Sequence, residues 1–337
     1  MSAWADATGC PLWGPWPGAA APLCRIDDVP IPSLRFLPKG GLLLKKLLLL
    51  LPVAALFALS GVAFAGHGEV SEKEVRRAVL VVSFGTSMPE ARHAIDSLVD
   101  EARRAFPDAE VRLAYTSNII RRKILKEENL FIPTPLEALA KLQDDGFTHV
   151  YVQPTHIIPG EEYEDLGRVV TALASIPGKF GFEKIVLGAP LLADEGDCAD
   201  LAAILHRTYG DRLGSDRAVV FMGHGSPHSA NAFYSQMALC LEKVSDRFFL
   251  GTVEGFPSFD DMVRHLEKSG VRRVTLVPLM IVAGDHARND MADGDDPESW
   301  FSQLKERGYR VDAVISGLGE NGEVRALFLN HLKALVD

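Results

Sequence analysis

The stretch AVLVVSFGTS (78–87) has a near twin in AVVFMGHGSPH (218–228). Each starts as an unbroken run of apolar residues rich in β-formers and ends in a glycine followed by small polar residues. A strand that is apolar on both sides is buried on both faces, as in a parallel sheet covered by helices. EVRLAYT (110–116), HVYVQPT (149–155) and KIVLGAP (184–190) read as further strands. Between the first two, Pro89 to Ala105 sets Ala91, Ala94, Ile95, Leu98, Val99 and Ala102 at helical spacing. Strands and helices alternate, so the expected class is α/β.

The twin stretches extend into a longer repeat. Gly85 and Gly225 are 140 residues apart, and QPTHIIPGEE (153–162) matches VPLMIVAGDH (277–286), with Pro154/Pro278 and Gly160/Gly284 both offset by 124. The repeat predicts two similar domains, residues 75–192 and 193–318, with their parallel sheets facing each other across a cleft. Residues 319–337 are expected to form a C-terminal helix that packs back on the first domain.

Composition removes several classes. There are 35 Lys and Arg against 45 Asp and Glu, a net charge of −10, with no basic stripe, which argues against nucleic acid. Of four cysteines only Cys198 and Cys240 fall in the globular part, and no Cys-x-x-Cys occurs, so neither a thiolate zinc site nor a redox dithiol is indicated. The glycine turns lack a dinucleotide fingerprint and a Walker lysine, and Ser226 lacks the G-x-S-x-G frame of a nucleophile elbow. At the other end, Leu42 to Ala65 carries Lys45 and Lys46, then an apolar run, and closes on Ala63-Phe64-Ala65. This reads as a secretory signal cleaved before Gly66, making residues 1–65 an extension plus signal and the mature protein periplasmic, with no stable membrane insertion. The competing reading is an uncleaved anchor, because Leu47 to Ala65 is nearly long enough to span a bilayer.

In an open α/β sheet the crevice lies beyond the carboxyl ends of the strands. His224 ends AVVFMG, Glu254 ends FFLGTVE, and His286 follows VTLVPLMIV by a short turn. Two imidazoles and a carboxylate suit divalent Co, Ni, Fe or Zn, and three protein ligands leave coordination positions open for a substrate. By the offset of 124, Glu162 is the counterpart of His286 and would face it from the opposite wall. Each residue also has a plainer reading. His224 could be a loop histidine with a satisfied hydrogen bond, Glu254 an exposed strand end, His286 part of a cap region led by Asp285, and Glu162 an acidic first-turn residue.

LVVSFGTS, TSNIIRRKI, TPLEAL, HIIPGEEYE, VVFMGHGSPH, VPLMIVAGDHARNDMA and SGLGEN together resemble the anaerobic-type sirohydrochlorin cobaltochelatases, class II, ATP-independent tetrapyrrole chelatases related to ferrochelatase. The resemblance runs from about Ala78 to the C-terminus. It implies two flavodoxin-like domains with the macrocycle held between them, and insertion of Co2+ into sirohydrochlorin or precorrin-2 with release of protons. Carried over, His224 and His286 are the metal-binding histidines, Glu254 the third ligand and Glu162 the acidic residue of the first domain; His224 is assigned as the base as well, because an imidazole can take a proton near neutral pH. Gly85, Thr86, Ser87, His156, Gly225 and Ser226 are expected to line the ring site. By the Irving–Williams order such a site binds Ni2+ and Cu2+ at least as strongly as Co2+, so the metal used depends on supply and on ring deformation, and Fe2+ is admitted beside Ni2+. The apparent export signal departs from the cytoplasmic habit of the family. It motivates a second reading, an extracytoplasmic tetrapyrrole or metal carrier with His156 or His93 as an axial haem ligand. The repeat supplies both cleft walls, so no dimer is required, and a homo-oligomer remains compatible with the sequence.

Overall fold

The computed structural model describes residues 74–336, so the apolar run Leu42 to Ala65 and the expected cleavage point before Gly66 lie outside the described residues. The described residues hold two four-stranded, all-parallel sheets. The first comprises β1 (Arg77–Ser83), β2 (Ala109–Tyr115), β3 (His149–Pro154) and β4 (Lys184–Leu187), in the order β2-β1-β3-β4. The second repeats it with β5 (Arg217–Gly223), β6 (Phe248–Thr252), β7 (Arg273–Pro278) and β8 (Arg310–Ala313), in the order β6-β5-β7-β8. Both offsets read from the sequence meet in one register: Val82 pairs with Pro154, and Met222 with Pro278. The repeat is therefore one of strand pairing as well as of motif.

Nine α-helices connect and cover these sheets among the described residues: α1 (Pro89–Ala105), α2 (Asn118–Glu128), α3 (Pro135–Asp144), α4 (Glu161–Ala174), α5 (Glu195–Tyr209), α6 (Ala232–Val244), α7 (Phe259–Lys268), α8 (Trp300–Glu306) and α9 (Gly322–Val336). The buried residues of α1 are the six picked out by spacing. Side chains alternate along each strand even though both sets are apolar. Val79 and Val81 of β1 share one core with Val219 and Phe221 of β5, filled by residues of α1, α5, α6 and α9. The opposite faces have their own cores, Ala78, Leu80 and Val82 under α3 and α4, and Ala218, Val220 and Met222 under α7 and α8. Burying a side chain such as Leu201 or Phe328 contributes roughly 1.5–3 kcal/mol, so the shared core is a substantial bond between the halves.

The last helix after each sheet covers the other half. Helix α5 follows the first sheet but packs on α6, and its His206 and Tyr209 rings meet Phe248 and Phe221 edge-on at 5.9 Å. Helix α9 follows the second sheet but packs on β3 and α1. There Lys184 Nζ donates to the Leu335 carbonyl at 3.0 Å, and Arg325 Nε meets Glu101 Oε1 at 2.7 Å.

The loops at the carboxyl ends of the two sheets also meet. Gly284 lies against the Thr86 hydroxyl, Arg288 Nη2 reaches Glu90 Oε1 at 3.2 Å, and His228 Nε2 reaches Glu164 Oε1 at 3.2 Å. Ile281 and Val282 pack on Ile95, Tyr115, Ile124 and Ile132. Cys198 and Cys240 are free and buried, and no described helix is long and apolar enough to cross a membrane.

Candidate metal centre

Strand β5 delivers His224 to the crevice through a turn that only glycine permits. A Cβ on Gly223 would lie 2.6 Å from the Tyr234 ring. Gly225 has φ +81°, and a Cβ there would lie 2.6 Å from the Gly255 nitrogen. The loop after β5 therefore lies flat on the loop after β6. The β5–β6 ladder continues into it, with Val253 N–H donating to the Gly223 carbonyl at 3.1 Å and Glu254 N–H to the His224 carbonyl at 2.8 Å. Burial pushes the Tyr234 phenol up to about 12, so the ring that supports this turn stays neutral.

His286 arrives from β7 and opens a short π-helical turn, Ala287–Met291. The His224 and His286 rings meet edge to face with centroids 4.7 Å apart and planes at 89°. His224 Nδ1 lies 2.9 Å from the Gly225 carbonyl, and His286 Nδ1 pairs with the Asp290 carboxylate. A carbonyl or carboxylate oxygen only accepts, so each Nδ1 carries the proton and each Nε2 of the neutral ring keeps its lone pair. An outer acceptor that fixes the tautomer is the usual partner of a metal-binding histidine. Asp290, four residues on from His286 around the helical turn, supplies this anchor and was not singled out from the sequence.

The expected three-point seat is assembled only in part. Among the described residues no three His, Cys, Asp or Glu side chains converge as a preformed metal set. The two imidazoles are assembled; Glu254 is tied to His224 through its backbone, but its side chain is exposed. Glu162 stands exposed in the first turn of α4 and joins no such set.

The residues expected at the ring differ in their surroundings. Gly85 has φ +97° and matches Gly225 in conformation, while Thr86 is buried, its hydroxyl accepting from the Met88 amide at 3.2 Å. Ser87 is half-buried beside it, and Ser226 N–H donates to Asn231 Oδ1 at 3.0 Å. His156 is shut in: neither ring nitrogen is exposed or hydrogen-bonded, and burial holds the imidazole down to about 4. Such a ring is a poor axial ligand as it stands, and His93, exposed on α1, has its Nδ1 on Ser97 Oγ at 2.9 Å. Nothing here supports haem. One residue went unread. The offset of 140 that equates Gly85 with Gly225 equates Phe84 with His224, and Phe84 is 48% exposed at the end of β1, an aromatic face where the other half has an imidazole.

Residues 77–337 match the family model described as cobalt chelatase (CbiK). The sirohydrochlorin cobaltochelatase of Salmonella typhimurium is 40% identical over 263 residues, covering 77% of this chain and 96% of that protein. The sirohydrochlorin cobaltochelatase CbiKC of Nitratidesulfovibrio vulgaris is 38% identical, covering 77% and 91%. The structure of SirB from Bacillus subtilis with Fe3+ aligns with a TM-score of 0.50 at 17% identity, covering 77% of this chain and 95% of that one, a likeness of fold. The duplicated parallel sheets, the paired imidazoles at their carboxyl edge and these matches agree: the chain belongs to the cobalt chelatase (CbiK) family.

Proposed function

We propose that this protein inserts Co2+ into sirohydrochlorin without ATP, releasing the displaced protons. The observation that carries the reading is the His224–His286 pair, two rings 4.7 Å apart, each with Nδ1 anchored and Nε2 free. Two neutral imidazoles hold a borderline divalent ion while leaving most of its coordination sphere to the incoming ring nitrogens. Glu254, one ladder step from His224, turns in as the third ligand when the ion arrives.

Insertion requires two pyrrole N–H protons to leave and the ring to bend so that its lone pairs reach the ion. His224 takes a proton as its bond to the metal loosens, since an imidazole exchanges protons readily near neutral pH. Glu162, exposed at the start of α4, takes the other or orients the ring. Phe84 lays an apolar face against the macrocycle from the first half. Fe2+ and Ni2+ are admitted by the same donor set. Protonated imidazoles bind no metal, so activity falls on acidification.

The test is turnover of purified protein with sirohydrochlorin and Co2+, followed by the change in the visible spectrum. A chelatase passes well beyond one equivalent of product per chain; arrest at one equivalent would mark a carrier instead. The apolar run Leu42 to Ala65 supports export to the periplasm, which fractionation of cells expressing the full chain tests.

A further inference from the structure

The loop after β5 carries a second imidazole in the opposite tautomer. His228 Nδ1 accepts from the Ala230 amide at 3.2 Å, and its own amide donates to Ser226 Oγ at 3.1 Å. A backbone N–H only donates, so Nδ1 holds a lone pair and the proton of the neutral ring sits on Nε2. His224 is thus set up to receive a cation, whereas His228 is set up to donate to an anion. A carboxylate already stands beside it: Nε2 lies 3.2 Å from Glu164 Oε1 on α4, across the junction of the two halves. The other oxygen of that carboxylate, Oε2, is 3.1 Å from Arg168 Nη2. Both partners remain reachable, with 25% of the His228 side chain and 47% of the Glu164 side chain exposed.

A sirohydrochlorin ring has an apolar face and a rim of acetate and propionate carboxylates. Whatever enters between the halves at this point must part the His228–Glu164 pair and leave the pinned Nε2–H without the carboxylate beside it. A rim carboxylate replaces the lost acceptor in kind. We propose that His228 is a substrate-specificity residue that grips a peripheral carboxylate of the macrocycle, and that Glu164 is a placeholder occupying that seat until the substrate arrives. The inference rests on the chelatase reading for the identity of the ligand. It goes beyond that reading by assigning one residue to the ring's rim and its partner to competition with it.

The placeholder arrangement makes an unusual demand: the two members of one contact must act on affinity with opposite signs. The experiment titrates the full chain with metal-free sirohydrochlorin, read by quenching of the macrocycle's fluorescence. His228→Ala is expected to raise the Kd about tenfold, the loss of one charge-assisted hydrogen bond. His228→Gln, which keeps an N–H donor, recovers part of that loss. Glu164→Ala, which removes the competitor, lowers the Kd severalfold. If both alanine variants weaken binding, the contact merely holds the halves together and the assignment is overturned; it is equally overturned if either variant leaves the Kd unchanged. Co2+ turnover of the unaltered protein is measured alongside. Ring binding without turnover would sink the chelatase reading and leave this assignment standing, whereas turnover with unaltered Kd values in the variants would do the reverse.

Discussion

The His224 and His286 rings stand edge to face with centroids 4.7 Å apart, each with Nδ1 tied to its own acceptor. The arrangement makes Asp290 as informative as the two imidazoles themselves. Asp290→Asn keeps size but weakens the acceptor that fixes the His286 tautomer. Co2+ affinity, measured by calorimetry on the full chain, is expected to fall about 10- to 100-fold with little change in thermal stability. His224→Ala is expected to abolish both Co2+ binding at this site and turnover.

Glu254 separates a two-ligand from a three-ligand account. If its carboxylate turns in on metal arrival, Glu254→Ala weakens Co2+ binding by at least about tenfold, the scale of one lost charge-assisted contact. Unchanged affinity would leave the ion to the two imidazoles alone.

Gly225→Ala tests the turn. The substitution forces a Cβ into a left-handed conformation and to within 2.6 Å of the Gly255 nitrogen. It is expected to cost about 1–3 kcal/mol and to lower Tm by several degrees. Because the same contact aligns Glu254 with His224, turnover should fall further than stability alone explains.

His156 makes stability depend on pH. Its imidazole is held at about 4 by burial, below the roughly 6.5 of the unfolded chain. Between those values the unfolded state binds the extra proton, so stability is full above about pH 6.5 and is lost as pH falls toward 4. The loss amounts to at most about 3 kcal/mol. Denaturant midpoints recorded from pH 7 to pH 4 should show it, and His156→Leu should flatten the slope over that window.

Phe84 offers a test of the first wall. Phe84→Ala is expected to raise the KM for sirohydrochlorin severalfold while leaving Co2+ affinity unchanged, because the ring contributes apolar contact and no metal ligand.

The parts legible in the sequence were those governed by periodicity. The apolar spacing of α1 named its six buried residues, and the offsets of 140 and 124 appear as the matched pairs Val82–Pro154 and Met222–Pro278. The proximity of His224 and His286 followed from placing both beyond strand ends of one sheet. What stayed hidden depends on loop geometry, which has no period. Asp290 reaches His286 only because the chain turns helically there, and the Glu254 side chain, one ladder step from His224, stands exposed. The shutting-in of His156 and the His228–Glu164 contact arise from packing between segments more than thirty and sixty residues apart, beyond any local pattern.

The reciprocal covering of α5 and α9 has a consequence for how the molecule can be cut. Deleting the fifteen residues of α9, Gly322 to Val336, removes no strand of the second sheet and instead strips a lid from the first, some 170 residues upstream in β3 and more than 200 in α1. Neither half is a self-sufficient piece. A gene split between them yields two fragments with complementary bare faces, which regain a folded state only by finding one another.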